Sequence, residues 1–191
     1  MTSDEALMLE FQGGSRAAFE ELFARYRKPL YGFFGRRLNN PERAEDLAQE
    51  TFLAVIRAAY RYEPRASVRT YLYGIALKLL AAERRKFLTS STLGQPPAEP
   101  TTDGTPESVL WVRQAMQKLD APEREILMLR EYEQLSYSEI AELLRIPLNT
   151  VRSRLFRSRL ALKTYLESEA KTNPALRASV RQPHPGRRGL Q

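Results

Sequence analysis

The chain has 191 residues with 30 Lys plus Arg against 23 Asp plus Glu, a net charge of +7; this is enough for one large or two small domains and favours a polyanionic partner. Cysteine is absent and the single histidine, His184, lies in a Pro/Gly/Arg-rich tail, which excludes thiolate catalysis, a disulfide framework and a Cys/His zinc site, and nearly excludes histidine base catalysis. The acidic start MTSDEALMLEFQ lacks a signal-peptide pattern and no stretch is apolar for the length of a membrane span, so a cytoplasmic protein without membrane insertion is expected.

In chain order, Phe19, Leu22, Phe23, Tyr26, Leu30, Phe34 and Leu38 recur at helical spacing and predict one helix, with Pro29 kinking rather than ending it. Asn40 is placed to cap a second helix that opens on Pro41, with Glu42, Glu45 and Asp46 near the positive end of its dipole. A third helix is predicted over about residues 67–87, with Val68, Leu72, Ile75 and Leu79 as its inward stripe. Residues 89–107, rich in Pro, Gly, Ser and Thr, have too little apolar content to order and read as a flexible linker. Beyond it, SVLWVRQAMQKL predicts a helix and APEREILMLREY another, beginning at Pro122. No period-two strand pattern, repeat or glycine-rich phosphate loop occurs. The fold class expected is all-α: two small helical domains joined by a flexible linker.

The segment LSYSEIAELLRIPLNTVRSRLFRSRLALK carries the most information. Ser136 followed by Glu139 is a capping box, opening a short helix with Ile140, Ala141 and Leu144 on one side. Pro147 breaks the hydrogen-bond ladder, and Asn149 or Thr150 is placed to cap a new helix. Two helices about so short a break fit a helix-turn-helix. On the second, Val151, Leu155, Ser158 and Leu162 share the buried face. Arg152, Ser153, Phe156 and Arg157 then lie where a recognition helix meets base edges, and Arg154, Arg159 and Lys163 where phosphate contact is expected. Arginine makes two parallel bonds to guanine, and an exposed phenyl ring packs against a thymine methyl. With Asn149 and Thr150 at its start, this helix supplies one set of candidate DNA contacts, which the resemblance described next assigns to an upstream promoter element. The tail over 169–191 adds five basic and no acidic residues from Lys171 onward and reads as disordered.

This segment resembles region 4 of the bacterial sigma-70 family of RNA polymerase sigma factors, particularly the small extracytoplasmic-function (ECF) group. EDLAQETFLAVIRAAYRY resembles region 2 of that family, and SVRTYLYGIALKLLAAERRK the promoter-melting segment that follows it. The resemblance implies a region 2 domain at 1–88 and a region 4 helix-turn-helix domain at 108–168, with no catalytic residues, cofactor or metal. Its implied partners are core RNA polymerase, through the beta-prime clamp helices and the beta flap, promoter DNA, and an anti-sigma factor. Asp46, Gln49, Glu50 and Leu53 form an outward stripe that, by similarity, docks on the clamp helices. Strand separation needs aromatic faces beside positive charge. Arg61, Tyr62, Arg65, Arg69, Tyr73, Lys78, Arg84 and Arg85 are the candidate downstream contacts, with the loop of residues 61–69 the expected place of base capture and Tyr71 read as core.

The chain departs from the family pattern in several places. Tyr71-Leu72 replaces Trp-Leu, Lys78 stands where Asn is common, and Ala82 replaces an Asp, with Glu83 beside it. Arg145 occupies the usual turn-glycine position, so the backbone there must either avoid the left-handed region or strain it. The rival readings are a conventional helix-turn-helix regulator and a helical protein-interaction module.

Overall fold

A computed structural model describes residues 2–38, 40–90 and 107–172; linker residues 91–106 and tail residues 173–191 lie outside the described residues. The helices are α1 (Asp4–Gln12), α2 (Arg16–Gly35), α3 (Pro41–Ala58), α4 (Val68–Ser90), α5 (Glu107–Gln117), α6 (Ala121–Glu131), α7 (Tyr137–Leu144) and α8 (Leu148–Thr172), with a 3-10 turn at Ala59–Arg61. No strand occurs among the described residues, as the all-α expectation requires. Helix α1 is an addition to that expectation: Ser3 caps it by accepting from the Ala6 amide at 3.1 Å. Helices α4 and α8 both run past their predicted ends, to Ser90 and Thr172, into the first residues of the expected linker and tail.

Two compact units share the chain unequally. The first comprises residues 1–101 and 130–146, and the second 102–129 and 147–191. The chain therefore returns to the first unit after beginning the second.

Within the first unit, α2 continues through Pro29, and Leu22, Tyr26, Leu30 and Phe34 of the expected stripe are buried, joined by Phe33. Asn40 caps α3 by accepting from the Arg43 amide at 2.9 Å, with Pro41 at the first helical position. Ala44, Leu47, Ala48, Phe52 and Val55 turn inward from α3. On α4 the inward face departs from the expected stripe after its first two turns: Val68 and Leu72 are buried, but Tyr73, Ala76 and Leu80 take the places expected of Ile75 and Leu79, which stay half-buried. Ring contacts knit the core, Phe23 to Phe52 at 4.7 Å and Phe33 edge-on to Phe34 at 5.1 Å. The start of α4 is held from two sides. Ser67 accepts from the Thr70 amide at 3.1 Å, and Glu5 of α1 accepts from the Val68 amide at 3.1 Å, meeting donors that a helix N-terminus otherwise leaves unpaired.

Residues 130–146 close this unit around a buried charge. The Glu133 side chain is 1% exposed, and both its oxygens lie 2.9 Å from Nη2 of Arg36; Arg37, also 1% exposed, donates to it at 3.0 Å, and the Tyr73 hydroxyl at 3.3 Å. Arg36 also stacks 4.7 Å from the Tyr132 ring, and Arg37 3.8 Å from Phe33. Leu135 and Ile140 are fully buried in the same unit. Glu139 completes the expected capping box and also accepts from the Ser67 hydroxyl at 2.9 Å. Arg145, in the glycine position, takes the left-handed backbone with φ 53° and ψ 47°, so the turn is strained by about 1 kcal/mol.

In the second unit, Ala115 and Met116 of α5, Leu119 just after it and Ile126 to Leu129 of α6 are buried, as are Val151, Leu155 and Ser158 of α8, while Leu162 is half-buried. The buried Ser158 hydroxyl donates to the Arg154 carbonyl at 2.7 Å and lies 3.1 Å from that of Glu123, tying α8 to α6. Helix α8 begins earlier than expected: Thr150 and Val151 amides donate to the Pro147 carbonyl at 2.9 and 3.2 Å. Asn149 and Thr150 are therefore helical residues rather than its caps.

Removing one side of a buried ion pair leaves the other charge without compensation. Glu133→Ala is expected to lower unfolding stability by about 3–5 kcal/mol, read from urea denaturation midpoints, because Arg37 keeps its burial and loses its counter-charge.

Candidate nucleic-acid and polymerase interfaces

Helix α8 places the upstream set as a divided cylinder. Arg152, Ser153, Phe156, Arg157 and Arg159 are exposed and Thr150 and Arg154 half-buried. Phe156 is 69% exposed and Leu160, one turn on, 53%. Several of the candidates have internal partners. Asn149 Oδ1 accepts from Arg152 at 3.2 Å, and Glu123 holds the Nε of Arg157 at 3.1 Å, which orients that guanidinium along the α6 side of the helix.

The downstream set is not one surface. Arg61 and Arg65 are exposed on the loop, Arg61 stacked on Tyr60 at 4.9 Å and Arg65 paired with Glu63. Lys78, Arg84 and Arg85 are exposed along α4. Tyr73, by contrast, is 2% exposed with its hydroxyl on Glu133, because it sits on the inward face that α4 adopts. Burial first, and then Glu133, push its phenol above the ordinary range. Arg69 is half-buried and donates to the Gln134 carbonyl at 3.1 Å.

Tyr62 is 6% exposed and packs 5.4 Å from the Tyr71 ring. Its hydroxyl is buried with no hydrogen-bond partner among the described residues. It lines a cavity of about 230 Å³ together with Arg65, Thr70, Tyr71 and Lys78. A buried phenol that makes no internal bond keeps a donor available to whatever enters.

The third set lies on the outer face of α3. Asp46, Gln49 and Leu53 are exposed, Leu53 by 47%, and Glu50 is half-buried. Beside it runs an open groove of about 420 Å³ lined by Phe23, Arg27, Lys28 and Tyr31 of α2 and Glu45, Ala48, Gln49 and Phe52 of α3. The α2 side of this groove was recoverable from sequence, since Phe23, Arg27 and Tyr31 recur every fourth residue along the edge of the apolar stripe.

Sequence reasoning missed Arg43. Its Nε and Nη2 meet Glu83 of α4 at 2.8 and 2.9 Å, while Nη1 reaches Glu50 at 3.1 Å and Asp46 at 3.4 Å. These bonds, Glu83 foremost, hold Arg43 above its usual pKa against the opposing effect of burial. The bonds from Arg43 in turn hold the Glu83 carboxyl below the ordinary range, outweighing burial. Among the described residues no group of His, Asp and Glu is placed to hold a metal, and no helix is long and apolar enough to cross a membrane.

Two family models match the chain, sigma-70 region 2 over residues 22–86 and sigma-70 region 4 over 110–162. The RNA polymerase sigma factor YlaC of Bacillus subtilis is 33% identical over 161 residues, covering 78% of this chain and 91% of that relative. The ECF RNA polymerase sigma factor SigC of Mycobacterium tuberculosis is 33% identical over 164 residues, covering 82% and 88%. The chain belongs to the ECF group of sigma-70 factors. In this sigma factor the region 2 match takes in α3 and most of α2 and α4, and the region 4 match runs from within α5 into α8. Its fold is that of CnrH in complex with the cytosolic domain of CnrY (TM-score 0.65, 23% identity, covering 87% of this chain and 99% of that one). It is likewise that of the RpoE–NepR complex from Bartonella quintana (TM-score 0.65, 21% identity, 78% and 96%).

Because the folded-state pKa of Glu83 is depressed, its pair with Arg43 contributes stability above the unfolded glutamate value of about 4.3, and that contribution is lost as pH falls through the lower folded value. The stability gap between the wild type and Glu83→Gln should be constant above about pH 5.5 and close progressively below about pH 4, measured by denaturant titration at each pH.

Proposed function

We propose that this ECF sigma factor joins core RNA polymerase through the outer face of α3, captures a base of the downstream element at the Tyr62 cavity, and reads the upstream element with α8. It has no catalytic step of its own and works in the cytoplasm, where polymerase and promoter DNA are found. The observation that carries this reading is Phe156, a 69% exposed aromatic ring flanked by exposed Arg152, Ser153 and Arg157 on a helix whose opposite face is buried. Such a ring is unfavourable in water and suited to a thymine methyl, while the adjacent guanidinium suits guanine.

The α3 face fits a protein partner rather than DNA, since it combines two carboxylates with an exposed leucine beside the groove of α2. Phosphates repel carboxylates; the beta-prime clamp helices are the partner by family. The beta flap is proposed for the region 4 segment on the same ground. Downstream, Arg61, Arg65, Lys78, Arg84 and Arg85 are exposed and suited to the backbone of a separated strand. In that arrangement Tyr73 and Arg69 support the surface from within rather than touch bases. An anti-sigma factor is proposed as a further partner, supported by solved relatives of the same fold, one of which is described in complex with the anti-sigma factor NepR. A conventional DNA-binding regulator accounts for α8 and leaves the α3 face without purpose.

The chain added to sigma-free core polymerase should produce promoter-specific transcription, with start sites that share an upstream and a downstream element when mapped on genomic DNA. Absence of specific starts with active core sinks the assignment. Tyr62→Phe should leave the unfolding midpoint unchanged or slightly raised, since the lost hydroxyl has no internal partner, yet relax preference at one downstream position by about five- to tenfold in competition transcription. A uniform loss on all promoters would remove base capture from this cavity.

A further inference from the structure

Arg43 is misplaced by helix rules. It stands in the first turn of α3, where the helix dipole favours carboxylates and disfavours cations. Its stability there comes from its side-chain partners. The guanidinium uses two nitrogens in a parallel fork on Glu83, at 2.8 and 2.9 Å, the geometry that fixes a planar cation most firmly. The third nitrogen is thereby aimed at Asp46 and Glu50, which lie three and seven residues along the same face of α3. Side-chain exposure grades outward through the group, from 21% at Glu83 and 27% at Arg43 to 42% at Glu50 and 60% at Asp46. The anchored end is sheltered and the two carboxylates at the other end face solvent.

We propose that Arg43, anchored by Glu83 of α4, is the positioning residue of the polymerase-docking face, holding Asp46 and Glu50 in the orientation their partner receives. This rests on the reading of α3 given under Proposed function. Two acidic side chains one turn apart repel each other and sample many rotamers; a shared guanidinium offsets the repulsion and fixes both before the partner arrives. The anchor also links the docking helix to α4, the helix that carries the exposed Lys78, Arg84 and Arg85.

The direction of the effect separates positioning from charge. Replacing Arg43 by a neutral residue makes the face more acidic, so a role in charge alone predicts tighter docking on a donor-bearing partner, most of all at low salt. Positioning predicts the opposite. Full-length Arg43→Gln and Glu83→Gln should each bind core polymerase about five- to tenfold more weakly, the scale of one ordinary hydrogen bond's net contribution. The double variant should lose no more than Arg43→Gln alone, because both changes undo one fixture. In an Asp46→Asn, Glu50→Gln background, Arg43→Gln should have no further effect, whereas general destabilisation would still weaken binding there. Unfolding midpoints measured on the same proteins identify any variant that fails to fold. Unchanged or tighter docking by Arg43→Gln overturns the proposal, as does a loss that persists in the carboxylate-free background. If the carboxylate-free protein docks like the wild type, the docking face itself has been misread, a result distinguishable from failure of Arg43 alone.

Discussion

The first unit of this sigma factor is organised around one carboxylate taken out of water. Glu133 faces two guanidinium groups and a phenol, and both it and Arg37 are almost wholly inaccessible. Burying such charges is unfavourable unless every lone pair and proton finds a partner. Here Arg36 reaches both oxygens, Arg37 and Tyr73 divide the remainder, and Arg37 further donates to the Phe33 carbonyl at 3.0 Å. The geometry fixes register as well as energy, since the end of α2, the inward face of α4 and the segment before α7 must all arrive at one point. It also explains why Tyr73 faces inward although its sequence neighbours suggest a nucleic-acid surface.

Helix α3 presents one face to the core and another to solvent. One side carries small and apolar residues, Phe52 among them, against the core, with Thr51 bonding back to the Leu47 carbonyl at 2.8 Å so that its hydroxyl is satisfied. The other keeps Asp46, Gln49 and Leu53 exposed. A surface that must be recognised needs both exposure and fixed orientation. The Arg43 fork supplies the second without sacrificing the first, by anchoring on a sheltered residue of a neighbouring helix.

Much of this was legible in the residues. Periodicity located α2 and α3, the Asn40–Pro41 pair marked a helix start, and Ser136 with Glu139 marked another, because these are local rules in which the physics lies within four residues. The faces of α8 were legible for the same reason. What escaped depends on residues distant in sequence. The inward shift on α4 follows from Glu133, 60 residues from Tyr73, and the role of Arg43 follows from Glu83, 40 residues away. Helix α1 was overlooked because its acidic start was read for what it excluded rather than for its Ser3 cap. Arg145 posed a choice that sequence left open, and the left-handed backbone shows that the turn geometry was kept at the expense of strain.

The distance between Arg37 and Glu133 along the chain, 96 residues, sets an order of events at the ribosome. At synthesis rates of about 5–20 residues per second, the two arginines at the end of α2 wait about 5–20 seconds for their carboxylate to be made. Until then the two guanidinium groups at the end of α2 have no Glu133 to pair with. The nascent protein is thus basic and incomplete at one defined point, and its first unit closes only after part of the second has been made.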